Sequence, residues 1–530
     1  MPDSPVTPPR PLGSFLPESG GTAPKFGLRG DLSTPISEIA EDSRKVGPGW
    51  LFVARRGRRF DGRAFVQDAI ERGAAAVMTD DPEIASTIDV PCVLTEELPR
   101  LCAITAERFF GEPSSRLTLI GVTGTNGKST VVHLCRSLLS GAGRKCGMVG
   151  TIEIDDGLGV RPATLTTPPS IEMSRTLATM VRSGCRAAAI EVSSHALTQD
   201  RVSGLRFGVG LFTNLTSEHL DEHGTMPRYA EAKSRLFAML PGDGVAVVNA
   251  DDPYMPQVAA PAECRVWQMS LRRDWGIHVK IASRSPLGMR LRMQGPWGVA
   301  HARIGLIGDH NAMNVLQAFA AAYAAGATPS DLTRALERAT APPGRLERVA
   351  DGTPAVFVDY AHTPDALERV LATLRPICRG KLIAVFGCGG DRDRSKRPMM
   401  GEIGARLADV PIITSDNPRT EDPASIAGEV YGGVPDGERS RMRVVLDRAE
   451  AIATAIGEAG PDDVVLIAGK GHEDYQILRG EDGDEQRIAF DDRAHAFEAL
   501  RRLRADPEIT VRPGAMSPRP GGVSGQAPSP

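Results

Sequence analysis

Gly121-Val-Thr-Gly-Thr-Asn-Gly-Lys-Ser-Thr130 is the stretch from which the rest of the chain can be read. It follows Leu117-Thr-Leu-Ile120, an apolar run that reads as a buried strand. It precedes Val131-Val-His-Leu-Cys-Arg-Ser-Leu-Leu139, apolar at helical spacing, with Gly141 and Gly143 as stop signals. Strand, glycine loop and helix together form the setting of a phosphate-binding loop. Glycines let backbone N–H groups turn onto phosphate oxygens, and the helix N-terminus adds positive potential. In that setting Lys128 reaches the outer phosphates and the Ser129 hydroxyl holds Mg2+. Five residues rather than the usual four separate Gly121 from Gly127, but the core Gly124-x-x-Gly127-Lys128-Ser129 is intact.

Outward from the loop, polar clusters recur just past apolar runs. Ala187-Ala-Ala-Ile190 leads to Glu191-Val-Ser-Ser-His195, and Val209-Gly-Leu-Phe212 leads to Thr213-Asn-Leu-Thr-Ser-Glu-His219. Val245-Ala-Val-Val248 leads to Asn249-Ala-Asp-Asp252. Open α/β sheets bind ligands at the carboxyl ends of their strands, so repetition around a phosphate loop points to one site. Glu191 at such an end suits Mg2+, directly or through water. His219 reads equally as a site residue or as a hydrogen-bonded surface histidine. Gly308-Asp-His-Asn-Ala-Met-Asn314 opens a helix over Val315 to Ala324; its asparagines, Asn311 among them, read as nucleobase readers or as caps.

A second set of strands alternating with helices follows: Val356–Asp359, Leu382–Phe386, Pro411–Thr414 and Val464–Ala468. Thr363 and Pro364 suit the cap and first turn of a helix. Gly387-Cys-Gly-Gly390 lacks the spacing of a dinucleotide fingerprint, which disfavours hydride transfer. At the other end, Arg55-Arg-Gly-Arg-Arg59 before Phe60 reads as a solvated basic loop or as a diphosphate clamp.

Length and composition bound the answer. The 530 residues suggest about three domains. The expected division is a tail over 1–25, a first domain over 26–112, a central domain over 113–340, a third over 341–510, and a second tail over 511–530. Both tails are rich in Pro, Gly and Ser. A net charge of −4 offers no general attraction to nucleic acid or to an anionic membrane. Eight scattered cysteines without a CxxC pair read as free thiols. No apolar run approaches the ~20 residues of a membrane span, and the N-terminus lacks a signal-peptide core. A cytoplasmic protein, monomeric, without nucleic-acid or membrane partners, is the expectation.

In order and spacing, Gly-Thr-Asn-Gly-Lys-Ser, Glu-Val-Ser-Ser-His, Asn-Ala-Asp-Asp, Gly-Asp-His-Asn-Ala-Met-Asn, Pro-Gly-Arg, Asp-Tyr-Ala-His-Thr-Pro-Asp and Gly-Lys-Gly-His-Glu resemble the ATP-dependent Mur ligases over about residues 30–505. Asp416-Asn-Pro-Arg419 and the early Asp42-Ser-Arg44 resemble the MurE branch of that family. The resemblance implies a three-domain α/β fold with a small N-terminal α/β domain, a central phosphate-loop ATPase sheet and a Rossmann-like C-terminal domain that closes over the site. It implies ATP and Mg2+ as cofactors and peptidoglycan precursor synthesis as the setting. The implied reaction adds meso-diaminopimelate to UDP-N-acetylmuramoyl-L-alanyl-D-glutamate through an acyl phosphate.

The resemblance also distributes roles. Gly124, Thr125, Asn126, Gly127, Lys128, Ser129, Thr130, Asn311, Arg345 and Asp359 fall at ATP. Glu41, Ser43, Arg58, Arg59 and Phe60 fall at the uridine diphosphate, and Thr166, Thr167, Ser193, Gln199 and Arg201 at the muramoyl peptide. Arg392, Asp416, Asn417, Pro418, Arg419, Gly469 and Glu473 fall at diaminopimelate. Glu41 and the Arg-Arg-Phe run are not the commonest residues at their positions in the family. Lys128, Glu191, His219 and Lys233 are the implied catalytic set, and Ser129, Glu191, His219 and Lys233 the implied metal set; Lys233, read alone a surface lysine, matches one the family converts to a carbamate that can help hold a second Mg2+. The rivals are an L-lysine-adding relative, a folylpolyglutamate or cyanophycin type of ligase, a nucleotide switch, or a silent binding protein of the same fold. The switch should not need a third domain with polar strand ends, and intact Lys128, Glu191 and His219 argue against the silent form.

Overall fold

The computed structural model describes residues 8–18, 23–57, 61–218, 220–480 and 482–505. They fall into two compact units, divided between Glu347 and Arg348.

Besides a two-stranded antiparallel pair, Arg10–Pro11 with Pro35–Ile36, the first unit carries two main sheets. The smaller has five strands in the order Gly27–Arg29, Cys92–Leu94, Ala74–Thr79, Trp50–Ala54 and Glu38–Ala40, parallel except for the first. Helix Leu98–Phe109 covers one face and packs on helix Ser170–Arg182 beside the larger sheet. The two domains expected on either side of residue 112 thus share one compact unit while each keeps its own sheet. Within the stretch expected to be an N-terminal tail, a described segment packs against the small sheet. Leu12, Phe15 and Leu16 are buried in the core of the small sheet, and Arg10 donates to the carbonyls of Arg108 and Phe109 at 3.0 Å. Three apolar side chains among the prolines offset the ordering cost there. The second expected tail, and Arg58, Arg59, Phe60 and His219, lie outside the described residues.

The larger sheet has eleven strands. Its centre runs Cys146–Val149, Ala187–Glu191, Thr118–Thr123, Val209–Phe212, Val245–Asn249 and Arg265–Ser270, all parallel. The first five are apolar and largely buried, as parallel strands covered on both faces must be, whereas Arg265–Ser270 leaves Arg265, Val266 and Gln268 exposed. One end turns antiparallel through Ile277–Ser285, Gly288–Gly295 and Gly298–Ile304. Thr118–Thr123, which feeds the glycine loop, lies between the strands ending at Glu191 and at Phe212, so three strand ends surround the loop.

The second unit carries five parallel strands of a six-stranded sheet, in the order Ala355–Asp359, Val464–Ala468, Leu382–Phe386, Val410–Ile413 and Arg443–Val444, and a two-stranded antiparallel sheet of Tyr475–Arg479 and Glu485–Ala489. Helices Arg448–Gly457 and Asp492–Ala505 pack together on one face. Pro364–Leu374 begins behind Thr363, whose hydroxyl accepts from Ala366 N, as the cap-and-proline reading expected.

Candidate active site

The glycine loop of the first unit is held from two sides. Gly124 has φ +143°, and a Cβ there would stand 1.9 Å from Thr213 Oγ1, so only glycine lets the loop approach the next strand end. Thr213 donates to Asn126 O at 2.6 Å. Asn214 accepts from Thr125 N at 2.8 Å through its carbonyl and from Asn126 N at 3.0 Å through its side chain. Those two N–H groups therefore serve the loop's own shape. The donors left for an anion are those at the start of helix Lys128–Gly141, which the helix cannot pair internally.

Two lysines converge on this loop. Lys128 Nζ donates to the carbonyls of Gly124 at 3.0 Å and Thr125 at 2.8 Å. Lys233 Nζ, from helix Met226–Ala238, donates to the same Gly124 carbonyl at 2.8 Å and lies 4.4 Å from the centre of the Tyr229 ring. Lys233 is 1% exposed, so its sequence-only reading as a surface lysine is overturned. Burial, then the neighbouring Lys128 charge, pushes its amine well below the usual lysine range, while Glu218 acts in the opposite sense. Burial also lowers Lys128, against the charges of Glu191 and Glu218. Glu218 thus tunes both lysines, a role its place in a polar loop did not signal.

Glu191 ends its strand fully buried. It accepts from Thr151 N at 2.8 Å, and the Thr151 hydroxyl lies 3.1 Å from its other oxygen. Thr151, absent from the sequence reading, therefore orients the carboxylate. Glu191 and Ser129 line one small cavity together with Gly150, Glu153, Pro342 and Pro343. Hydroxyl and carboxylate oxygens are the hard donors that Mg2+ takes alongside water, so this pair fits that ion. Among the described residues no three His, Cys, Asp or Glu side chains stand together as a metal site. Arg345 follows the two prolines, close enough for its charge to lower Lys128.

Asn311 and Asn314 lie inside helix Asp309–Ala324 rather than before it, so they are not caps. Both are buried: Asn311 donates to Ile307 O at 2.9 Å and accepts from Asn314 at 3.0 Å, and Asn314 sits against Gly127. Next to Glu191, Thr167 donates to the Glu191 carbonyl at 2.7 Å and accepts from Ser193 N. Arg201 donates to Thr167 O at 2.7 Å and reaches Gln199 at 2.7 Å. Thr166 lies 3.1 Å from the Thr151 hydroxyl. These five residues form one polar wall beside the glycine loop. Glu41 and Ser43 sit instead on the small sheet, where Arg55 holds Glu41 at 3.0 Å and Ser43 is buried.

The second unit has its own strand-end cluster. Asp416 and Asn417 are buried. Lys470, fully buried and absent from the sequence-predicted set, donates to Asn417 at 2.9 Å and lies 3.4 Å from Glu473 and 3.6 Å from Asp416. Asn417 donates to Glu473 at 3.0 Å. Arg419 has φ +54°, a left-handed conformation that costs a non-glycine residue about 1–2 kcal/mol. Its guanidinium donates to Gly390 O at 2.7 Å. A Cβ on Gly390 would meet Pro418 O at 2.0 Å, so that glycine admits the Pro418-Arg419 loop. Arg448, fully buried and paired with Asp492 at 2.6 Å, donates to Ser415 O and Ala468 O, tying together the two strand ends that carry Asp416 and Gly469. Asp359 ends the neighbouring strand, and its side chain accepts from Ala361 N at 2.8 Å. Arg392 is exposed on the adjoining loop, donating to Asp391 O.

Comparison with known proteins matches three stretches: residues 35–110 to the Mur ligase family catalytic domain, 122–322 to the Mur ligase middle domain, and 344–471 to the Mur ligase glutamate ligase domain. A protein of Gloeobacter violaceus named UDP-N-acetylmuramoyl-L-alanyl-D-glutamate–2,6-diaminopimelate ligase is 44% identical over 89% of this chain and 95% of its own. One of the same name from Geobacillus thermodenitrificans is 42% identical over 91% and 98%. A solved structure carrying that name superposes with a TM-score of 0.69 at 33% identity, covering 89% of this chain and 96% of the other. The fold extends to MurF of Thermotoga maritima in complex with ADP, at a TM-score of 0.58 and 18% identity over 88% of this chain and 97% of the other.

Proposed function

The chain belongs to the Mur ligase family, and from that membership we propose that it is an ATP-dependent amide ligase joining meso-diaminopimelate to UDP-N-acetylmuramoyl-L-alanyl-D-glutamate in peptidoglycan precursor synthesis. The names of relatives at 42–45% identity over about nine-tenths of the chain support the substrates. The observation that carries the chemistry is the convergence of Lys128 and Lys233 on the carbonyl of Gly124, inside a phosphate loop flanked by buried Glu191.

A carboxylate does not condense with an amine at neutral pH unless its oxygen is made a leaving group. The D-glutamate carboxylate takes the γ-phosphoryl group of ATP, and ADP leaves. The amine of diaminopimelate then attacks the acyl carbon, and phosphate leaves from the tetrahedral intermediate. Positioning and neutralisation of negative charge supply most of the acceleration in such transfers. The N–H groups opening helix Lys128–Gly141 hold the phosphates, and Lys128 swings from its loop carbonyls onto them. Ser129 and Glu191 would hold Mg2+, which would supply neutralisation of phosphate charge. Burial and the Lys128 charge weaken the hold of Lys233 on its proton, which favours the neutral amine that attacks carbon dioxide to form a carbamate with release of a proton, and the new anion would lie beside the Lys128 cation.

The wall of Thr166, Thr167, Ser193, Gln199 and Arg201 takes the muramoyl peptide, and the small sheet takes the uridine diphosphate. The cluster of Asp416, Asn417, Arg419, Lys470 and Glu473 takes diaminopimelate. Three functional domains divide near residues 112 and 340. No helix among the described residues is long and apolar enough to cross a membrane, and the cytoplasm, where ATP and the nucleotide-linked precursor are found, suits the reaction. The test is phosphate release with the UDP-linked dipeptide and, in turn, meso-diaminopimelate, L-lysine and L-glutamate. Release that needs both the dipeptide and meso-diaminopimelate is expected; release without either would overturn the reading.

A further inference from the structure

The antiparallel end of the eleven-stranded sheet turns one face inward and the other to solvent. Val279, Leu291, Met293 and Ala302 pack into the core against helix Asp309–Ala324. Lys280, Arg290, Arg292, His301 and Arg303 alternate with such residues and point outward. The register sets Lys280 opposite Arg292, Arg292 opposite His301, and Arg290 opposite Arg303. Like charges directly opposed across strands destabilise a sheet. Among the described residues none of the four cations is paired with a carboxylate; Arg292 donates to Gln294 at 3.3 Å. The chain as a whole is negative. Protecting an edge strand from aggregation needs some charge, but not like charges facing each other across three strands.

Apolar side chains border the same face. Trp275, 66% exposed with Arg273 5.1 Å from its ring, stands at the entry to the first of these strands. Leu287, about half exposed, lies in the turn after that strand, and Val299 is exposed on the outward face.

We propose that this face docks the protein on an anionic lipid surface. The cations spread in two dimensions over three antiparallel strands, matching a plane of headgroup phosphates better than a single polyanionic strand, which favours a groove. Tryptophan and leucine at the ends of the face suit the depth of the headgroups. Each basic residue near such a surface contributes about fivefold to partitioning, and salt weakens it. The face lies apart from the glycine loop, so the inference does not rest on the ligase reading.

The full-length chain is sedimented with phosphatidylcholine vesicles with and without phosphatidylglycerol, at low and raised salt. Binding is expected only to the anionic vesicles, with release by salt. Arg290→Glu should weaken that binding by at least about fivefold. It should leave phosphate release in solution unchanged and raise the melting temperature, because it turns the Arg290–Arg303 opposition into an attraction. Arg303→Gln and Lys280→Gln, which add no new charge, should each weaken binding in the same direction. Equal sedimentation with both vesicle types, no sedimentation with either, unchanged binding by all three variants, or retention on polyglutamate or nucleic acid without vesicle binding would overturn the proposal.

Discussion

Replacing Lys233 by methionine separates a catalytic lysine from a structural one. Both lysine nitrogens bond the Gly124 carbonyl, at 2.8 and 3.0 Å, so they lie within about 6 Å of each other. Two unit charges at ~6 Å repel by about 3 kcal/mol at an effective dielectric constant of ~20. Lys233 is 1% exposed, so little solvent screens that repulsion. Methionine keeps most of the volume, removes the desolvated cation and forfeits one hydrogen bond of about 1 kcal/mol. In buffer stripped of carbon dioxide, Lys233→Met should therefore melt a few degrees above the unmodified protein. The pH sign agrees. Because the amine is held well below the lysine range, the folded state loses its proton before the unfolded chain does. The charged form thus burdens the fold at low pH, and stability recovers as pH rises through the folded value toward 10.5. The variant should lack that rise. Bicarbonate should raise the melting temperature of the unmodified protein, since a carbamate converts the repelled cation into an anion beside Lys128, and should leave the variant unmoved. Ligation by the variant should drop by a factor on the order of 10²–10³, and Lys233→Ala should be partly rescued by short carboxylates. Scanning calorimetry with and without bicarbonate, alongside phosphate release, reads all of this. A variant that loses stability in both buffers, or that keeps more than half the turnover, would refute the reasoning.

Three other outcomes follow from the same geometry. Lys128→Ala should lower ligation by a factor on the order of 10²–10³ while leaving the circular-dichroism spectrum intact; turnover above half of the original would refute the ATP-site assignment. Arg419→Ala should abolish preference for meso-diaminopimelate over L-lysine, a preference that can reach about 10⁴ where a site is built around a polar group; comparable kcat/KM for the two amino acids in the unmodified protein would count against it. Glu107, buried between helices Leu98–Phe109 and Ser170–Arg182, accepts from Ser114 N at 2.7 Å and Ser174 Oγ at 2.9 Å, and burial raises its carboxyl. Its folded form holds the proton longer than the unfolded chain, so stability falls as pH rises from 4.5 through the folded value. Glu107→Gln should flatten that fall in calorimetric melts; an unchanged pH profile would refute it.

Local pattern carried much of this protein. The glycine loop, its strand and helix, the strand ends at Glu191 and Thr213, and the Thr363-Pro364 helix start are properties of neighbouring residues, and each stands where the sequence placed it. Family resemblance then supplied Lys233, which no local rule marks. What the tertiary structure alone decided is which groups share a space. Burial of Lys233 depends on where helix Met226–Ala238 packs, and its shifted amine on Lys128, more than a hundred residues away in sequence. Thr151, Glu218, Lys470 and Arg448 escaped notice because threonine, glutamate, lysine and arginine are ordinary surface residues, and only the meeting of distant strand ends gives them partners. The asparagines of Asp309–Ala324 read as helix openers until the helix proved to begin before them. Leu12 and Phe15 looked like part of a tail because composition averages over a stretch, whereas burial needs only a few apolar side chains that find a surface. The net charge of −4 likewise averaged away the basic face, which exists because antiparallel register lines up cations that lie apart in the chain.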